Sequence, residues 1–176
     1  EFLLYKYMIY IIITTSIINK AGIKGNYVLN AKHRENRYVE SIKHLLKIIN
    51  NIDNLHPIIV ENNGDRKTFL NNLNCDILYT ENNKYNLIHK GGNELLDIKS
   101  VINTYNIDDN DTIIKLTGRY KILNLDFINL VINKCHEIDA FVKFFNVCTK
   151  QFHRNKDDCV LGLFAVKCKY LKNFEY

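Results

Sequence analysis

The sequence predicts an α/β protein, a three-layer sandwich in which helices cover both faces of a mostly parallel central sheet. Two observations predict this fold. Short apolar, β-branched runs recur along the chain, and segments with a single helical apolar stripe separate them. Strands and helices therefore alternate along the chain. Neighbouring parallel strands require this alternation, because a helical crossover must connect one strand to the next.

The first half of the chain supplies three of the predicted strands. Ile9–Thr14 is β-branched and aromatic throughout, which favours a strand buried on both faces. A helix follows over Glu35–Asn50, where apolar residues recur at helical spacing. Pro57–Val60 and Asp76–Thr80 are further apolar strands, and Lys67–Asn74 between them predicts a short helix.

In the second half, Lys90–Asn93 precedes a helix that extends to about Tyr105, with Asn93 as its expected N-cap. Thr112–Leu116 is the fourth strand. The remaining elements expected are a helix between Asn124 and Lys134, strands at Ala140–Phe145 and Cys159–Val166, and a helix at Lys167–Asn173.

The composition fits a single domain over residues 1–176. Hydrophobic residues make up 47% of the chain, and one proline and seven glycines leave little linker sequence. Residues 1–7 could be a leader before a natural start at Met8. The apolar stretch Phe2–Ile18 is interrupted by Lys6 and is short for a membrane span, so no transmembrane segment is expected.

The net charge of +5 favours anionic partners. Lysine and arginine are scattered singly, so a nucleic acid is not among the predicted partners, whereas a phosphorylated small molecule needs only a few cations. The five cysteines form no CxxC pair, which indicates reduced thiols and a cytoplasmic location.

Polar segments follow each of the first four strands. In parallel sheets the ligand crevice lies beyond the carboxyl ends of the strands, so these segments should meet at one rim. Each of them alone could also be an ordinary turn. The four segments are Thr14–Ser16, Glu61–Gly64, Thr80–Asn83 and Thr117–Tyr120.

Five stretches, in this order, resemble the nucleotide-sugar-binding half of GT-A-fold glycosyltransferases, especially small viral and bacterial ones. They are Ile9–Thr15, Arg37–Ile42, Ile58–Gly64, Lys90–Glu94 and Asp111–Tyr120. The resemblance implies a GT-A-like domain, a UDP- or GDP-sugar donor and a glycan, protein or lipid acceptor. A viral origin would place the protein in the host cytoplasm.

The resemblance also implies roles for individual positions. Thr14 and Thr15 would lie beside the base or ribose, and Glu61 or Asn62 would hydrogen-bond to the base. Lys90, Gly91, Gly92 and Asn93 would approach the ribose and phosphates. There the glycines permit close backbone contact and a helix start favours an anion.

Many enzymes of this fold hold Mg²⁺ or Mn²⁺ with an Asp-x-Asp motif after the fourth strand. This chain has Thr117, Gly118, Arg119 and Tyr120 there, while Asp108–Asp111 precedes the strand. We therefore predict no metal-ligand set and leave a Mg²⁺ or Mn²⁺ cofactor open. Arg119 could replace the metal through its guanidinium fork, or it could be structural, paired with a carboxylate beneath the loop.

An inverting transferase needs a carboxylate that deprotonates the acceptor hydroxyl. Asp157 and Asp158 are the candidates, although they could equally be a solvated turn pair; His153 and His136 are alternatives. The working hypothesis is transfer of a sugar from a nucleoside-diphosphate sugar to a hydroxyl. Its alternatives are a non-catalytic binding or assembly module and, more weakly, a nucleotidyltransferase.

Overall fold

The computed structural model describes residues 7–18, 31–85, 87, 90–143, 159 and 161–175. Within these ranges the strands are β1 Ile9–Thr15, β2 Leu55–Glu61, β3 Asp76–Tyr79, β4 Thr112–Thr117, β5 Ala140–Phe141 and β6 Leu163–Lys167. The α-helices are α1 Ala31–Ile49, α2 Lys90–Thr104, α3 Asp126–Lys134 and α4 Cys168–Asn173.

The strands form one sheet in the order β3-β2-β1-β4-β6-β5. The pairs β1–β2, β1–β4 and β2–β3 are parallel, whereas β6 runs antiparallel to both β4 and β5. The mostly parallel sheet predicted from the sequence is therefore confirmed, with an antiparallel edge added to it.

Strand β1 is buried on both faces, as its β-branched sequence predicts. Ile11 and Ile13 belong to an apolar cluster that includes Tyr38 of α1 and Ile128 of α3. Ile12 points the other way, into a second cluster formed with residues of α2 and α4. Helices thus cover both faces of the sheet, which confirms the three-layer sandwich.

Four predicted elements differ in the structure. The segment Lys67–Asn74, predicted as a short helix, contains a 3₁₀ turn at Phe69–Asn72. The side chains of Thr68 and Asn71 form a capping box that satisfies backbone N–H groups at the start of this turn. In the last strand, Leu161 and Gly162 form a turn and β6 begins only at Leu163.

The third difference concerns α2, which begins at Lys90, so Asn93 lies inside its first turn and the expected N-cap at Asn93 is wrong. The strand predicted over Ala140–Phe145 is shorter in the structure, because it ends at Phe141 and the described residues Val142 and Lys143 are not in a strand. Positions 144 and 145 lie outside the described residues. No helix in the described part of the chain is both long and apolar enough to cross a membrane.

Candidate functional site

The candidate site lies at the carboxyl edge of the sheet, between β1 and β4. The chain passes outward from β1 to β2 and β3, and then returns to place β4 on the other side of β1. Thr14 of β1 and Thr117 of β4 are register partners at this edge. Open α/β sheets bind ligands at such a reversal of strand order.

A buried lysine and a glutamate form an ion pair at this reversal. Lys115 of β4 is 1% exposed, and its Nζ donates to Glu94 Oε2 of α2 at 2.8 Å. The other Nζ bonds run to Thr117 Oγ1 at 2.8 Å and to the Leu161 carbonyl at 2.7 Å. Glu94 Oε1 accepts from Thr14 Oγ1 at 3.4 Å, and the Glu94 side chain stays 34% exposed.

Burial lowers the pKa of Lys115 because it penalises the charged ammonium, while the nearby Glu94 carboxylate acts in the opposite direction. The positive charge of Arg119 adds a smaller lowering of the same pKa. The Glu94 carboxylate therefore favours the protonated form of Lys115. Of these two side chains, Glu94 is the one exposed to solvent.

Glu61, predicted to contact a base, is completely buried under the loop that follows β1. Its carboxylate accepts hydrogen bonds from Thr15 Oγ1 at 2.7 Å and from the Ile17 backbone N–H at 3.2 Å. The side chain of Asn63 donates to it as well, and Arg66 pairs with it at 3.3 Å. Protein donors thus occupy both oxygens, and the contact of Glu61 with a base stays a prediction.

A second buried carboxylate, Asp97 of α2, connects the loops after β2 and β3. It accepts hydrogen bonds from Asn62 Nδ2 at 2.9 Å, Thr80 Oγ1 at 3.0 Å and Asn82 Nδ2 at 2.9 Å. Burial raises the pKa of Asp97 to about 6, and the three donors oppose this rise. Base contact by Asn62 also stays a prediction, since its amide is already engaged with Asp97.

The loop after β4 is held by packing against β1 and α1. The Gly118 N–H donates to the Thr14 carbonyl at 2.9 Å. A Cβ at position 118 would lie 3.0 Å from Thr15 Cγ2 and 3.1 Å from Tyr38 Cδ1, so only glycine fits here without displacing these neighbours. Gly118 therefore fixes the backbone from which Arg119 projects.

Arg119 has no ion pair with any residue that the structure describes, so the carboxylate proposed beneath its loop is not found there. Its Nε is buried and has no hydrogen-bond partner in the same part of the chain. The Arg119 carbonyl accepts from Ser41 Oγ of α1 at 3.4 Å.

The segment predicted to approach the phosphates, Lys90–Asn93, forms the first turn of α2. A Cβ on Gly91 would meet nothing within 4 Å, whereas one on Gly92 would lie 2.8 Å from Leu87 Cδ1. The Asn93 amide donates to the Tyr85 carbonyl at 3.5 Å. Gly91 thus leaves open space at the helix start, which a ligand could use.

The predicted bases Asp157 and Asp158, and the alternative His153, lie outside the described residues. His136 is exposed and lies 3.1 Å from the neighbouring Glu137. The acidic turn Asp108–Asp111 lies at the amino end of β4, where Asp111 Oδ1 accepts from the Met8 N–H, away from the candidate site.

Within the described ranges, no group of three His, Cys, Asp or Glu side chains is arranged to hold a metal ion. The residues described at this site therefore offer no such ligand set for Mg²⁺ or Mn²⁺, and a cofactor of this kind stays an expectation.

Two acidic residues of this site, Glu94 and Asp97, were not predicted as functional from the sequence. A signal for both existed. They are three residues apart on α2, and Asp97 is four residues before the buried Val101, so both fall on the stripe that faces the sheet. A carboxylate on a buried stripe indicates a polar partner in the core.

Comparison with solved structures identifies proteins of the same architecture. 4-Diphosphocytidyl-2C-methyl-D-erythritol synthase aligns with a TM-score of 0.52 and 10% identity, over 97% of this chain and 81% of that one. CMP:2-keto-3-deoxy-manno-octonic acid synthetase, solved with CTP, aligns with a TM-score of 0.53 and 12% identity, over 94% and 76%.

No protein-family model matches the sequence, and no curated protein matches it. At identities of 10% and 12% the structural likeness concerns the fold. Together with the strand order, it shows that the chain shares the α/β fold of these two proteins, with the mostly parallel central sheet that the sequence predicts.

Proposed function

We propose that the protein is a nucleotide-dependent transferase that moves a sugar from a nucleoside-diphosphate sugar to a hydroxyl acceptor. One observation carries this proposal: the Glu94 carboxylate, held by the buried Lys115, reaches solvent at the reversal of strand order between β1 and β4. Ligands of open α/β sheets bind at this position, and the fold is that of nucleotide-using enzymes.

In this proposal Glu94 is the base. The acceptor hydroxyl oxygen attacks the anomeric carbon, the bond from that carbon to the diphosphate oxygen breaks, and the hydroxyl proton passes to the Glu94 carboxylate. Lys115 is a positioning residue, because its bonds to Thr117 and Leu161 hold the ammonium in place and its third bond orients Glu94. Asp157 and Asp158 remain the alternative bases.

Arg119 would stabilise the negative charge on the departing diphosphate. A guanidinium binds phosphate oxygens through a two-pronged fork, and a fixed cation favours the charge that grows in the transition state. Among the residues that the structure describes, the Arg119 guanidinium has no ion pair and its buried Nε has no hydrogen-bond partner, which supports this role. Thr14, Thr15, Gly91 and the loop after β2 would surround the nucleoside.

Nucleotidyl transfer is the second candidate, because the synthetase with the same fold was solved with CTP. A nucleotidyltransferase would release pyrophosphate from a nucleoside triphosphate, so a cation at the leaving diphosphate suits both reactions. The two candidates differ in their donor, and the donor is what an experiment should vary.

The test measures thermal stabilisation with UDP, GDP, CDP, ADP, the triphosphates and common nucleotide sugars, each in EDTA, Mg²⁺ or Mn²⁺. A ligand that binds only the folded state raises the melting temperature. Stabilisation by a nucleotide sugar, followed by its turnover, supports sugar transfer. Pyrophosphate release from a triphosphate supports nucleotidyl transfer. If no nucleotide binds, the result supports the non-catalytic binding or assembly module instead.

Arg119→Ala is the local test of the diphosphate contact. We expect the change to weaken diphosphate binding by about 2 kcal/mol, as for a lost charge-assisted hydrogen bond, while the protein still folds. Isothermal titration with the best nucleoside diphosphate measures this loss. A folding defect with unchanged affinity of the folded fraction would instead assign Arg119 a structural role.

A further inference from the structure

A cleft of about 440 Å³ lies between α1 and the loop after β4. The lining residues come from these two elements alone, with cationic side chains on both sides. They are Arg37, Glu40 and Ser41 of α1 and Arg119, Tyr120 and Lys121 of the loop.

The charges in this cleft do not cancel. Lys121 Nζ pairs with Glu40 Oε1 at 2.9 Å, so these two neutralise each other. Arg37 and Arg119 make no ion pair with the residues that the structure describes, and they leave two guanidinium charges facing one cleft. This excess of positive charge attracts an anion.

The walls of the cleft are fixed before any ligand binds. Ser41 Oγ donates to the Arg119 carbonyl at 3.4 Å, and the Tyr120 N–H donates to the Thr117 carbonyl at 2.8 Å. Gly118 is packed so tightly that a Cβ would contact Tyr38 of α1 at 3.1 Å. The separation of the two elements that carry Arg37 and Arg119 is therefore preorganised.

Arg119 also carries a donor that nothing in the described protein satisfies, its buried Nε. A buried donor without a partner is unfavourable, and guanidinium groups match the paired oxygens of a phosphate. Because Arg119 directly follows Thr117 and Gly118, the cleft continues the edge where the nucleotide is proposed to bind.

We propose that this cleft binds a phosphate group of the ligand, with Arg37 as a second guanidinium beside Arg119. The inference rests on the proposed function in taking the ligand to be a substrate of that site. The phosphate could belong to the diphosphate of the donor or to a phosphorylated acceptor, and the chemistry of recognition is the same for both.

The experiment compares wild type with Arg37→Ala and Arg37→Lys, and with Lys43→Ala as the matched control. Lys43 is exposed on the same helix and lies outside the cleft. Calorimetric titrations use pyrophosphate, the nucleoside diphosphate that stabilises the protein best, and glucose 1-phosphate. Arg37→Ala should weaken binding of the relevant phosphate about tenfold or more, and Lys43→Ala by less than about twofold.

Arg37→Lys keeps the charge without the fork, so its affinity should fall between those of wild type and Arg37→Ala. A loss confined to the nucleotide assigns the cleft to the donor, and a loss confined to glucose 1-phosphate assigns it to the acceptor. Equal effects of Arg37→Ala and Lys43→Ala would overturn the inference.

The outcome for the cleft is separable from the outcome for the proposed function. Arg37-dependent binding of pyrophosphate by a protein that binds no nucleotide would keep the phosphate site and reject the transferase. If Arg37→Ala changes neither nucleotide turnover nor phosphate binding, the transferase would be kept and the phosphate site rejected. Arg37 is exposed, and circular dichroism checks that its variants fold.

Discussion

Two acidic groups on α2, three residues apart, have opposite surroundings. Asp97 is completely buried, and three protein donors from two loops occupy its oxygens. Glu94 has one strong partner, Lys115, and keeps a third of its side chain in solvent. A carboxylate enclosed by donors can hold loops together, whereas one with an open face can also act on a ligand.

The largest effect that follows from this contrast concerns Glu94→Gln. The amide keeps the shape but cannot accept the hydroxyl proton, so turnover of the donor sugar should fall about 10²- to 10⁴-fold, as for loss of a general base. Steady-state kinetics measures the fall, with Glu137→Gln, an exposed acid in another region, as the control. Unchanged turnover would shift the base to Asp157 or Asp158.

Asp97→Ala should act on stability instead. It leaves the donors of Asn62, Thr80 and Asn82 without an acceptor, which should lower the free energy of unfolding by about 4 kcal/mol. Urea denaturation measures this, and Asp53→Ala, an exposed acid, should change it by less than about 0.5 kcal/mol. A fully stable Asp97→Ala protein would contradict the loop-holding role.

The pH dependence of stability sharpens the same comparison. Burial raises the pKa of Asp97 from 3.8 to about 6, so between these values the folded protein holds a proton that the unfolded chain has released. The contribution to stability is therefore fully present below about pH 4 and is lost as the pH rises to about 6, in total about 3 kcal/mol.

Urea titrations of wild type and Asp97→Asn between about pH 4 and pH 7 isolate this contribution. The asparagine variant does not titrate at this position, so the difference in unfolding free energy between the two proteins should change between about pH 4 and pH 6 and level off towards pH 7. A difference that is constant over the whole range would show that folding does not raise the pKa of Asp97.

Two adjacent glycines repeat the contrast on a smaller scale. Gly91 faces open space, and Gly92 is packed against Leu87. Gly91→Ala should stabilise the protein by about 0.5–1 kcal/mol, because alanine is the better helix residue, while its methyl group weakens nucleotide binding. Gly92→Ala should lose this gain through overpacking. Urea denaturation and titration with nucleotide measure the two effects; tighter binding by Gly91→Ala would refute close approach of the ligand there.

Most of the fold could be predicted from local sequence. Short apolar runs, β-branched in β1 above all, identify β1 to β4, and the stripe on α1 follows helical spacing. The antiparallel pairing of β6 with β4 depends instead on contacts about fifty residues apart, between Thr112 and Lys167 for example. No local pattern specifies such a partner.

The site was predictable in position but only partly in composition. Polar segments after the strands indicate the edge at which Glu94 and Lys115 meet, since parallel strands bring their carboxyl ends together. The partner of Lys115 lies 21 residues away on a helix. A buried lysine predicts that some acid must approach it, but only the three-dimensional packing of α2 on the sheet identifies that acid as Glu94.

The pairing of Lys115 with Glu94 also constrains how the sequence can vary in evolution. An ammonium that is 1% exposed tolerates loss of its carboxylate poorly, so the two positions should change together in related proteins. Where an apolar residue replaces the lysine, the glutamate loses its ion-pair partner, and only its proposed role as the base would retain it. The pair thus offers a two-residue signature, with the glutamate on α2 and the lysine on β4, for recognising distant relatives that share too little identity to align.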